Sequence, residues 1–154
     1  MTTASHSPYH ATIVIERTYS ASVERVFGAF ANPQARARWS APSDAAVLIY
    51  DEADFRVGGR DTFRCGAKSD PKFLGETRYH DIIPDRRIVS SATIDTNGKR
   101  LSVALTTMDL EPEGSSTKVK LAVQIVSLDS PDMIEGTKIG YTGSLDNLAR
   151  ELER

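Results

Sequence analysis

One cysteine, Cys65, stands in a chain of 154 residues. It excludes an internal disulfide. The three histidines, His6, His10 and His80, are scattered, so no metal-ligand spacing exists and no metal site is expected. Long apolar runs are missing too. Nothing approaches the ~20 residues of a membrane-spanning helix. The opening "MTTASHSPYH" lacks the basic start and apolar stretch of a secretory signal. Neither sign of charge dominates: 19 Lys and Arg face 21 Asp and Glu, for a net charge of −2. The basic residues are interspersed among acids, so no nucleic-acid stripe stands out. There is no GxGxxG, no GxxxxGK[ST] and no GxSxG, so dinucleotide binding, a P-loop and a serine-nucleophile elbow have no sequence support. The expectation is a cytoplasmic protein without cofactor, membrane span or nucleic-acid partner.

What is present is an ordinary globular composition, 40% hydrophobic and 26% charged, long enough to bury a core without staples. Residues 1–8 read as a disordered tail and 9–154 as one domain. "YHATIVIERTYS" is β-branched and aromatic and reads as a strand. The period then becomes helical: Val23, Val26, Phe27 and Phe30 share one face, with Ser20 or Ser22 as cap. Asn32-Pro33 ends this helix, and Pro33 opens a second short one reaching Trp39. From Val47 to Val126 strands and turns alternate. Asn97-Gly98 is the strongest hairpin signal, because both turn positions want positive φ. Past Ser130-Pro131, Ile134, Tyr141, Leu145, Leu148 and Leu152 fall on one stripe of a long last helix. The order predicts an α+β fold, with about seven antiparallel strands curved around the C-terminal helix.

The stretch "DFRVGGRDTFRC" tests for a phosphate loop. Such a loop leads from a strand into a helix N-terminus. Here "RDTFRC" alternates like another strand, so Gly58-Gly59 reads as a tight hairpin bend between two strands.

The segments "IERTYSASVERVFGAFANPQARARW", "DFRVGGRDTFR" and "GYTGSLDNLARELE" together resemble the activator of heat-shock protein 90 ATPase homologue-like family, within the START-like, SRPBCC superfamily. The resemblance spans residues ~10–153. It implies the helix-grip fold and a cavity between sheet and last helix. Where relatives often carry a second tryptophan this chain has Ser40, and Gly140-Tyr141 replaces a glycine–tryptophan pair. Asp61 stands where an aromatic is frequent. The eukaryotic activator's separate N-terminal domain has no counterpart in these residues, which argues against full activation of the chaperone.

Strand alternation nominates cavity-facing side chains: Asp61, Phe63 and Cys65; Phe73, Gly75, Thr77 and Tyr79; Met108 and Leu110; Val119, Leu121 and Val123. Trp39, Met133, Thr137 and Tyr141 could close the space from the helices. The candidate ligand-binding set is Trp39, Asp61, Phe63, Tyr79, Met108, Val123, Met133, Thr137 and Tyr141; plain core packing is the alternative. No catalytic residue stands out. Asp61 reads as a wet-rim or salt-bridged carboxylate, with Arg38, Arg56 or Arg60 to pair it, or else as a buried acid, base or anchor. Cys65 reads as a small buried hydrophobe and His80 as solvent-facing. Gly136, Gly140 and Gly143 weaken the last helix opposite its apolar stripe. They leave a solvated face, a close backbone approach by a loop or a second subunit, or a loose start that admits ligand.

Three functions compete. The favoured one is a non-enzymatic binder of a hydrophobic or aromatic small molecule. The second is a cyclase, dehydratase or hydrolase needing Asp61 to converge with Tyr79 or Tyr141. The third is a chaperone-interacting module or a homodimer with an exposed patch.

Overall fold

The computed structural model describes residues 6–154. Most of the expected N-terminal tail, residues 1–5, lies outside them, and residues 6–8 carry no regular structure. The elements run β1 (Tyr9–Tyr19), α1 (Val23–Ala31), α2 (Pro33–Ser40), β2 (Ala46–Glu52), β3 (Arg60–Ala67), β4 (Asp70–Ile83), β5 (Arg87–Thr96), β6 (Lys99–Glu113), β7 (Ser116–Ser127) and α3 (Asp132–Glu151). All seven strands form one antiparallel sheet in the order β1-β7-β6-β5-β4-β3-β2. The chain thus walks from β2 across the sheet to β7 by hairpins and closes by laying β1 beside β7. The expected α+β helix-grip architecture is what forms.

Local chemistry sets the boundaries. Ser22, one of the two serines expected to cap α1, accepts from Arg25 N–H at 3.2 Å. Asn32 ends α1 and starts α2 at once. Its backbone N–H bonds Gly28, while its side-chain oxygen accepts from Gln34 N–H (2.9 Å) and Ala35 N–H (3.2 Å). Pro33 follows at the first helical position, where no N–H is needed. Asn97 (φ 51°) and Gly98 (φ 75°) both take the left-handed conformation that joins β5 to β6. Ser130 accepts from Asp132 N–H at 3.2 Å, although the regular helix starts one residue later than Pro131.

The core lies between the concave sheet face and α3. Ile13, Ile15, Leu110, Val119, Leu121 and Val123 alternate inward from β1, β6 and β7, and Leu145 and Leu148 meet them from the helix. Each fully buried aliphatic side chain contributes about 1.5–3 kcal/mol. All five stripe residues read from the sequence, Ile134, Tyr141, Leu145, Leu148 and Leu152, belong to or pack on this core. The helix rests on β1 and β7 and, more extensively, on α2.

The expected tight bend at Gly58-Gly59 is a correction. β2 stops at Glu52, and residues 53–59 form a seven-residue loop before β3. The loop does not simply reverse. It folds across to β4: Gly58 N–H donates to Tyr79 O (2.9 Å), and Tyr79 N–H donates to Gly59 O (3.1 Å). A Cβ on Gly59 would lie 2.2 Å from Asp54 O, so close backbone packing demands glycine there. Alternation through "DEADFRV" mimics a strand, but Phe55 turns inward from the loop to pack on Tyr79 and Phe27.

Candidate functional site

Asp61 opens β3 and is 2% exposed. It is not at a wet rim. Its Oδ2 accepts from Arg36 Nη2 at 2.9 Å and from the Tyr79 hydroxyl, and its Oδ1 accepts from Asp54 N–H at 3.0 Å. Arg36 is itself 7% exposed. It also donates to the Phe30 carbonyl and, from Nε, to the Tyr50 hydroxyl at 2.8 Å. Its guanidinium lies over the Tyr50 ring, 4.7 Å from the centroid. The ion pair is therefore desolvated and fully hydrogen-bonded, which is the condition under which burial of two charges is tolerated. Removing one partner of such a pair costs about 3–5 kcal/mol.

None of the three arginines expected beside Asp61 fills that role. Arg38 pairs with Glu151, Arg56 with Asp54 and Arg60 with Glu52. Arg36 is the site residue that sequence reasoning missed. The signal available was its place one helical turn before Trp39, which puts it on the buried face of α2. An unpaired arginine at that position would have been costly to bury, but only the fold names its carboxylate.

Aromatic rings seal the cluster. Phe55, from the 53–59 loop, packs edge-on against Tyr79 (5.0 Å between centroids) and Phe27 (5.8 Å). Burial pushes the Tyr79 phenol far above its ordinary range, with the Asp61 hydrogen bond adding and Arg36 opposing. Burial also raises Tyr50. Tyr79 and Asp61 do converge, as a catalytic reading requires. Yet both Asp61 oxygens already accept hydrogen bonds and no buried side-chain N or O atom among the described residues lacks a partner, so Asp61 is held as an ion-pair anchor. Tyr141 lies elsewhere: burial raises its phenol, while a side-chain hydrogen bond with Thr106 works in the other direction.

Beyond this closed end, the concave face changes character. Strand register puts Phe63 opposite Gly75, Gly75 opposite Ile94, and Ile94 opposite Ser102. The next row is Thr77, Ala92 and Ala104. Phe63, Phe73, Thr77, Ala92, Ile94 and Ala104 are only half-buried, whereas the same face over β6 and β7 holds buried Met108, Leu121 and Val123. The Phe63 ring lies directly over Gly75, where a Cβ would come within 2.1 Å of it. Cys65 is half-buried on this face, and desolvation raises its thiol pKa, which leaves it an inert hydrophobe. His80 is on the opposite face, exposed and bonded to Ser91 at 2.7 Å.

The nominated binding residues thus divide. Phe63 borders the half-buried stretch, and Met133, Thr137 and Tyr141 are half-buried on α3. Met108 and Val123 are core. Asp61 and Tyr79 belong to the closed polar cluster. Trp39 is buried in the core: its indole N–H donates to Ala29 O at 3.0 Å, its ring packs edge-on against Phe30, and one edge borders a groove between α2, the start of β2 and the end of α3. No group of three or more His, Cys, Asp or Glu among the described residues could hold a metal ion. No described helix is long and apolar enough to cross a membrane.

Comparison with known proteins agrees with this architecture. The model of the family described as Activator of Hsp90 ATPase homolog 1-like protein matches residues 20–153. Among solved structures, the Mll3558 protein from Rhizobium loti is 37% identical, with 95% of this chain and 99% of that one covered and a TM-score of 0.84. An uncharacterized protein from Rhizobium leguminosarum is 35% identical, with coverage of 96% and 97% and a TM-score of 0.79. Protein CV1439 from Chromobacterium violaceum is 30% identical, with coverage of 93% and 97% and a TM-score of 0.82. No curated protein matches the chain. With its helix-grip sheet, its long last helix and a family match from the end of β1 to the end of α3, the chain belongs to the Activator of Hsp90 ATPase homolog 1-like family of the SRPBCC fold.

Proposed function

We propose that the protein binds an uncharged apolar or aromatic small molecule on the concave face, between β3–β5 and the N-terminal half of α3. The observation that carries this reading is the half-buried apolar stretch of Phe63, Phe73, Ala92 and Ile94, on a face that is otherwise closed core. Apolar surface left half-covered in a concavity gains from a guest that finishes its burial, at about 25 cal/mol per Å². Thr77 and Ser90, half-buried on the same face, offer hydroxyls to orient one polar group. The charges at the inner end, Arg36 and Asp61, are spent on each other, so a neutral ligand fits better than an anion. The same saturation speaks for binding rather than acid–base turnover.

The test uses 2-naphthol as probe, with native mass spectrometry of the purified protein to detect any carried ligand. Naphthol should bind once per chain. Ala92→Trp should fill the stretch and abolish that binding while circular dichroism stays unchanged. Retained binding in this variant would refute the location, and no binding by the unaltered protein would refute the reading.

A further inference from the structure

A second recess lies at the β2 edge of the sheet, apart from the half-buried stretch over β3–β5. It is an open groove of about 500 Å³, bounded by α2, the start of β2, the β3–β4 turn and the last turns of α3. Four cationic side chains line it, Arg38, Lys68, Arg150 and Arg154, against two carboxylates, Asp44 and Glu151.

The charges are not equally available. Glu151 is 6% exposed and accepts from Arg38 Nε on both oxygens, 3.1 Å each. Arg154 Nε stands 4.0 Å from it. That carboxylate is consumed within the wall. Lys68 and Arg150 are exposed and have no ion-pair partner among the described residues. Arg150 is instead steered by a hydrogen bond to Asn147 Oδ1, while Asn147 Nδ2 donates to Ala41 O at 2.6 Å. This relay ties the loop after α2 to the last helix and holds one free cation over the groove. The floor between the cations is apolar, with Trp39, Val47 and Leu48. Asp44, exposed and also without an ion-pair partner among the described residues, opposes them, but two unpaired cations against one carboxylate leave the groove net positive, and its walls screen that charge less than open solvent does.

We propose that this groove binds a small organic acid, its apolar body laid on Trp39 and Leu48 and its anionic group set against Lys68 and Arg150. It takes the charge class that the concave face disfavours, and it stands independently of that site.

The experiment is a two-dimensional amide NMR titration with 2-naphthoate, repeated with neutral 2-naphthol. Naphthoate should move the amides of Val47, Lys68 and Asn147, and its binding should weaken when salt is raised to about 0.15 M. The Lys68→Ala/Arg150→Ala variant, altered only at exposed side chains, should lose about tenfold in naphthoate affinity, equivalent to ~1.4 kcal/mol. Naphthol should leave these amides in place. The inference is overturned if naphthoate leaves the groove amides unmoved, if the double variant binds within about twofold of the unaltered protein, or if naphthol occupies the groove equally well. Naphthol shifts confined to concave-face amides would leave the other site standing in each case.

Discussion

From Ser144 onward, α3 is tied to its surroundings by specific bonds. Ser144 Oγ donates to Ser40 O (2.5 Å), Asn147 to Ala41 O, and the Tyr19 hydroxyl to Leu145 O (2.7 Å). Arg17 pairs with Asp146, and Arg38 with Glu151. Leu145 and Leu148 are fully buried between these anchors. The half before Gly143 has a different character. Pro131 supplies no side-chain cap, Ile139 is 61% exposed, and a Cβ added at Gly136 or Gly140 would meet nothing within 4 Å. One helix thus has a specified end and a loosely held end. The loosely held end carries Met133, Thr137 and Tyr141, the residues nominated to cover the concave face.

Five substitutions probe this contrast. Leu148→Ala should be the most damaging, costing about 2–5 kcal/mol by leaving a cavity at the anchored end, read as loss of urea midpoint. Gly143→Ala comes next, at about 1–3 kcal/mol, because the new Cβ would sit 2.6 Å from Pro42 O, and backbone cannot step aside cheaply.

Glu151→Gln should cost about 1–3 kcal/mol near neutral pH, and it carries a pH signature. The hydrogen bond from Arg38 holds the Glu151 carboxyl below its ordinary range. A folded-state pKa depressed in this way stabilises above the unfolded value and loses that contribution as pH falls through the folded one. The unaltered protein should therefore lose part of its stability below about pH 4, and the Gln variant should show a shallower acid limb in thermal melts. Identical limbs would remove Glu151 from the anchor set.

At the loose end the sign reverses. Gly136→Ala and Gly140→Ala should each stabilise by up to about 1 kcal/mol, since helix propensity improves and nothing is struck. Amide hydrogen exchange should show the same asymmetry before any mutation, faster over 133–141 than over 144–151. Equal protection in both halves would erase the comparison.

The three glycines show where sequence reading reaches its limit. All three were legible as weak points on the face opposite Leu145 and Leu148, and three explanations were open. Gly143 turns out to be a close approach by the loop after α2, whereas Gly136 and Gly140 face open space. Nothing local distinguishes them, because the distinguishing atom, Pro42 O, is a hundred residues away. The site divides similarly. Alternation placed Phe63, Thr77 and Tyr79 on one face, but it could not say that Phe55 would plug one end and leave the other half-covered.

Element order, the Asn97-Gly98 turn with its two positive-φ positions, the serine cap of α1, the break at Asn32-Pro33 and the stripe of α3 were all determined by the sequence alone. Each depends on residues within a few positions of one another, where backbone sterics and periodicity act directly. The partner of Asp61, the burial of Trp39 against Phe30 and the unpaired state of Lys68 and Arg150 were decided only by the tertiary structure. Long-range electrostatics and packing depend on which distant segments meet, and here β3 meets α2 across 25 residues to bring Arg36 to Asp61.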